Sequence, residues 1–167
     1  MILTRRHMIA TGLAATASSG QALAATLLEI GWDDLIPPGV PYAEIIGEGD
    51  LDETKDTWSP IFDANATKLN ENLNGAYVRL PGFILPLEIG AKGVTDFILV
   101  PYVGACIHTP PPPPNQLVFA QAKTPWPSDQ LWDAVWVVGT LRTQLQSTEI
   151  AQTGYALAVD TMEIYEW

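Results

Sequence analysis

Five runs of β-branched, aromatic and aliphatic residues fill the chain from Ala76 onward, and they restrict the fold more than any other feature. The runs are AYVRLPGFILPLE (76–88), TDFILVPYVGACI (95–107), QLVFAQA (116–122), LWDAVWVVGTLRT (131–143) and TGYALAVDTMEIYEW (153–167). Val, Ile, Tyr, Phe and Trp favour a pleated, half-buried surface, and Gly- or Pro-containing breaks separate all but the last two runs. In the last run Tyr155, Leu157 and Val159 fall on one face, with Ala156, Ala158 and Asp160 on the other, as strand alternation requires. No helical periodicity intervenes. Pro81-Gly82 and Pro86 interrupt the first run, which suits an edge, a bulge or a barrel corner. Five short antiparallel strands either pack as a sandwich or close into a barrel, and closure removes exposed edges. The expected fold is all-β: a small five-stranded OB-like barrel with an irregular N-terminal segment.

The segment before the barrel is harder to assign. LLEIGWDDLIPPGVPY (27–42) is broken by three prolines and two glycines, and GEGDLDETKDTW (47–58) reads as a solvated acidic loop. The acidic stretch lacks the central glycine and spaced terminal glutamate of a calcium loop. ANATKLNENL (64–73) is expected to form a short helix, and Asn74-Gly75 a turn. The predicted organisation is a signal at 1–24, an irregular segment at 25–75 and the barrel at 76–167.

The signal follows from TRRHMIA (4–10), which has the twin-arginine pattern, and from Ala22-Leu23-Ala24, a small-x-small cleavage site. The apolar run from Met8 to Ala17 is too short and too rich in Ala, Gly and Thr to span a bilayer. Export to the periplasm is expected, with no lipid anchor and no transmembrane segment in the mature chain. Loss of Arg5 and Arg6 leaves six basic residues against nineteen acidic ones, a net charge of about −13. That balance makes nucleic acids and anionic lipid surfaces poor partners and suits either cations or a simply solvated acidic surface.

GACIHTPPPPPNQ (104–116) holds the chemistry-bearing residues. Cys106 is the only cysteine, so no intramolecular disulfide can form, and His108 is the only histidine after the signal. In an extended chain the two side chains point to the same side, with Cα atoms roughly 6–7 Å apart. Thiolate plus imidazole suits zinc or copper. Zinc usually takes three or four protein ligands, which Asp96 or Glu88 could supply; Cu(I) accepts fewer. Two other readings of the pair stay open: a thiol and histidine packed for structure, or a Cys106 nucleophile with His108 as its base, making the chain a thiol-dependent enzyme. No third orienting residue announces itself for the latter.

The five prolines, Pro110 to Pro114, predict a stiff polyproline II strut about 15 Å long. Asn115 and Gln116 follow, with amides able to tie down carbonyls that the prolines leave free. Such a strut either supports a site at its mouth or forms an exposed ledge that docks a membrane partner without any metal. The tryptophans, Trp32, Trp58, Trp126, Trp132, Trp136 and Trp167, are expected in core or rim packing, and TPWP (124–127) in a rigid turn. Nucleotide-binding glycine loops, C-x-x-C pairs and a G-x-S-x-G nucleophile turn are absent.

LPGFILPLE (80–88), FILVPYVGACIHTPPPPPNQLVF (97–119) and VWVVGTL (135–141) resemble the bacterial DUF3299 family. The resemblance runs from about Leu35 to the C-terminus. It implies an exported protein, and it implies an ABC-type envelope transporter component as a partner, in some cases one linked to metal supply. Many relatives look like periplasmic lipoproteins, whereas this chain has a twin-arginine signal and no lipobox. The resemblance supplies no catalytic residues. Together these readings lead to an accessory protein that binds or delivers zinc or copper through Cys106 and His108, supported by Pro110, Pro114, Asn115 and Gln116.

Overall fold

The computed structural model describes residues 26–52, 57–104, 110–127 and 132–166. The signal (1–24), Cys106, His108 and Trp167 lie outside these residues. Eight strands are present among them: β1 (Leu28–Glu29), β2 (Ile45–Asp52), β3 (Thr57–Phe62), β4 (Tyr77–Pro86), β5 (Val94–Val100), β6 (Val118–Trp126), β7 (Ala134–Ser147) and β8 (Gln152–Ile164).

Strands β4 to β8 close a five-stranded barrel in the order β4-β5-β6-β8-β7, with β7 returning to β4. All neighbours are antiparallel except β6 and β8, which run parallel. That order, with one parallel closure, is the OB-like barrel expected from the five apolar runs. The inward faces alternate as strands must. Val78 and Leu80, Phe97 and Leu99, Val135 and Val137, and Tyr155, Leu157 and Val159 fill the interior. A second apolar cluster (Phe83, Leu85, Ile98, Val100 and Leu117) is packed by Trp132, Ile150 and Ala151. On the outer surface Arg79 lies 4.0 Å from the Trp136 ring and pairs with Glu29 at 2.9 Å.

Strand β4 changes partners along its length, which explains its prolines. Residues 77–83 pair with β7, but β5 joins only from Phe83 to Pro86. The open stretch before Phe83 is completed by the N-terminal segment. Strand β1 pairs in parallel with Val78 and Arg79, and Ile30 N donates to Arg79 O. The Trp32 indole then donates to the Pro81 carbonyl at 2.8 Å. Gly82 makes room for that indole: a Cβ there would lie 2.9 Å from Trp32 Cζ2 and 2.8 Å from Val100 O.

Four expectations change in detail. The acidic stretch is a hairpin rather than a solvated loop: β2 pairs with β3 through two register shifts. Those bulges break the period-2 alternation, and Gly49, at φ +66°, sits where a Cβ would strike Ser59 O. The helix expected over 64–73 is a series of turns and one 3-10 turn, Glu71–Leu73, capped by Asn70 Oδ1 on Asn72 N. TPWP continues strand β6 to Trp126. Beyond Ala122 β6 has left β8, and Pro125 is tolerated where that ladder has ended. The run expected as one bent strand to Ile107 stops at Val100, because Pro101 has no N–H to extend the ladder. Val103 and Gly104 form a turn; Cys106 and His108, whose common side depends on an extended chain, lie outside the described residues.

Candidate functional site

The loop from Pro101 to Leu117 joins β5 to β6 and is anchored at both ends. At its base the Tyr102 hydroxyl donates to the Pro110 carbonyl at 2.8 Å. Pro110 is exposed, whereas Pro111, Pro112 and Pro113 are buried. Pro113 has φ −65° and ψ 158°, within the polyproline II region. Pro114 instead opens a 3-10 turn, Pro114–Gln116, where its fixed φ and missing N–H suit the first turn position. The straight part of the run therefore ends at Pro113. Its burial means that the middle of the run is no exposed ledge.

Asn115 and Gln116 hold carbonyls, but not those the prolines leave free: one is that of Asn115 itself and the others lie in the N-terminal segment. Asn115 Nδ2 donates to Asn65 O at 3.0 Å and Lys68 O at 3.2 Å, and its N–H donates to Ala66 O. Gln116 Nε2 donates to Trp32 O at 2.9 Å and to Asn115 O at 3.1 Å. Both side chains are buried. They clamp the N-terminal segment to the barrel end at which β6 and β8 begin. Asn115 Oδ1 is buried and has no hydrogen-bond partner among the described residues. Turning the amide over would set that oxygen against two carbonyl oxygens, so the orientation is fixed.

Tyr155 completes the clamp from the barrel interior. Its hydroxyl donates to Leu35 O and accepts from Asn70 N at 2.7 Å. Asn70 Nδ2 donates to Asp34 O at 2.7 Å. Burial pushes the Tyr155 phenol up to about 12, and the Asn70 N–H offsets part of that rise. Gly154 lets the loop pack directly on β8. A Cβ there would lie 2.7 Å from both Pro114 O and Leu69 Cδ2.

The clamp predicts a specific cost. Gln116→Ala leaves Trp32 O without its donor, and loss of a buried partner costs about 1–3 kcal/mol. Hydrogen exchange should then accelerate over residues 28–36 more than over β7 and β8. Uniform acceleration would contradict a local clamp.

Beside the loop runs a cleft of about 340 Å³. Trp58, Pro60 and Phe62 of β3 and Asp63 lie on one side, and Pro111, Pro112, Pro114, Ile150 and Ala151 on the other. The β3 wall was hidden in the sequence, because the hairpin was read as acidic loop. The aromatic residues at 58 and 62, flanking Pro60, were the available signal. Among the described residues no group of three or more His, Cys, Asp or Glu side chains is gathered closely enough to hold a metal ion. Asp96 bonds Thr95 and Gln121. No described helix is long and apolar enough to cross a membrane.

Comparison with known proteins gives a family. No curated protein matches the chain. A crystal structure of a DUF3299 family protein from Pseudomonas aeruginosa PAO1 is similar to it, with 35% sequence identity and a TM-score of 0.69. The match covers 86% of this chain and 99% of that one. The sequence model of DUF3299, a family of proteins of unknown function, matches residues 32–164, which span the barrel, the clamp and the proline loop. This chain belongs to the DUF3299 family.

Proposed function

We propose that the chain is a periplasmic accessory protein, exported by the twin-arginine signal at 1–24, that binds a transition metal through Cys106 and His108. The observation that carries this reading is the bonding of the described residues on either side of 105–109. Tyr102 ties Pro110 to the loop base, and the buried Pro111–Pro113 and the Asn115 and Gln116 amides fix everything after it. A segment held at both ends loses little entropy when it binds, so two ligands can suffice where a free loop would need more.

A thiolate and an imidazole favour Cu(I) or Zn(II). Two protein ligands leave coordination positions open, as transfer to a second protein requires. Delivery to an ABC-type envelope transporter component is consistent with that. The net acidity of the chain favours cations near its surface.

Metal analysis of protein purified under reducing conditions tests the reading. Wild type should retain zinc or copper, and Cys106→Ala and His108→Ala should each lower the retained metal at least about tenfold, a loss of about 1.4 kcal/mol or more in binding. Equal metal content in all three proteins would end the proposal.

A further inference from the structure

We propose that the cleft between β3 and the proline run docks an extended segment of a basic partner protein, with an apolar side chain inserted and a Lys or Arg at its side. This inference does not depend on whether the loop binds a metal.

The walls define the ligand. Trp58 and Phe62 offer aromatic surface, and Ile150 closes the far side. Pro111 and Pro112 contribute carbonyls but no N–H, and neither carbonyl accepts a hydrogen bond from a described residue. The single charged residue among the described lining residues is Asp63, and none is basic. Its carboxylate accepts from Asn65 N at 2.8 Å and Asn65 Nδ2 at 3.2 Å, and it keeps further acceptor sites. A wall of acceptors and aromatic surface is complemented by donors on an apolar frame. The net charge of −11 steers cations to it and repels anions.

An extended peptide fits better than a compact amine because both walls are themselves extended. Among the described residues β3 pairs only with β2, which leaves its second edge for an added strand. The volume of about 340 Å³ is at the small end for a ligand pocket. Apolar surface continues past the cleft: Leu51, the cross-strand partner of Trp58, is 61% exposed. Apolar surface next to a cleft marks a contact with a macromolecule.

Fluorescence anisotropy with the full mature chain tests the proposal. The probe is a fluorescein-labelled peptide, Lys-Thr-Leu-Val-Lys, and its control is Glu-Thr-Leu-Val-Glu. The lysine peptide should bind at least about tenfold more tightly than the glutamate peptide, with affinity falling as salt rises. Trp58→Ala should weaken binding at least about tenfold. Asp63→Asn preserves the acceptor for Asn65 N and should weaken the lysine peptide severalfold while leaving the thermal melt unchanged. The Trp58 indole N–H resonance, identified by its loss in Trp58→Ala, should shift on titration. Equal binding of the two peptides, no effect of Trp58→Ala, or no binding of the lysine peptide would overturn the proposal. So would butylamine displacing the peptide at equal concentration, which would make the site one for a small cation.

Discussion

Gly154→Val is expected to lower the free energy of unfolding by about 3 kcal/mol, at the upper end of the usual cost of overpacking. The reason is the direct contact between β8 and the turn that ends the proline run. A Cβ at this position would lie 2.7 Å from the Pro114 carbonyl oxygen and 3.0 Å from Asn115 Cα. Both are backbone atoms of a turn locked by the Asn115 and Gln116 amides, and so they cannot move aside as a flexible side chain would. The third neighbour, Leu69 Cδ2, can yield. For a chain of this size, a loss of that order lowers the melting temperature by roughly 6–12 °C. Gly154→Ala carries the same Cβ and should show a smaller fall in the same direction. A thermal melt of Gly154→Val within 2 °C of wild type, a margin of about 1 kcal/mol or less, would show that the loop is not seated on β8.

Tyr155→Phe should cost about 1–3 kcal/mol at neutral pH, since Leu35 O and Asn70 N both lose a buried partner. It also has a signature in alkali. Burial raises the folded phenol from 10.0 to about 12, so the folded chain holds this proton more tightly than the unfolded chain does. Stability is therefore complete below pH 10 and declines as pH rises from 10 toward 12. One pKa unit corresponds to 1.36 kcal/mol, so the decline amounts to about 2–3 kcal/mol. Wild type should lose that stability across the window. The phenylalanine variant, less stable at pH 7, should lose less of it. Tyr42, also raised to about 12 by burial, by Tyr102 and by Asp33, titrates in both proteins and cancels in the difference. Parallel stability curves from pH 8 to 12 would place the Tyr155 hydroxyl in contact with solvent.

The barrel was legible because its strands obey one simple rule. In β8 the residues 155, 157 and 159 alternate inward without interruption, and β4 alternates from Tyr77 to Gly82 before burial becomes continuous, as it is in β5 from Phe97 to Val100. The prolines themselves were informative: Pro81 pairs with β7 on one side, and on the side that β5 has not yet reached its carbonyl accepts from a tryptophan indole. What stayed hidden involves long-range pairing. The β2–β3 hairpin carries two register shifts and many acidic side chains, so it presents no alternating pattern. Strand β6 runs through Pro125 because its neighbour on one side has already departed, and a sequence does not display that.

The clamp was half legible. Asn115 and Gln116 were expected to tie down carbonyls that the prolines leave free, whereas the carbonyls they hold are those of Asn65, Lys68, Trp32 and Asn115. Which carbonyls they hold depends on a segment folded back from residues about fifty to eighty-five positions away. Tyr155 gave one clue, as the polar member of an otherwise aliphatic inward face. A hydroxyl buried there must find partners, and it finds them in the N-terminal segment. The cleft itself stayed hidden, because its lining comes from the hairpin, the proline run and the loop after β7, which are far apart in the chain.

X-ray absorption at the zinc edge, on reduced protein carrying one equivalent of zinc, tests the metal proposal most directly. A first shell containing one sulfur at about 2.3 Å and one nitrogen at about 2.0–2.1 Å is the expected result, with the sulfur lost in Cys106→Ala and the imidazole pattern lost in His108→Ala. A shell of oxygens alone, unchanged in both variants, would contradict it.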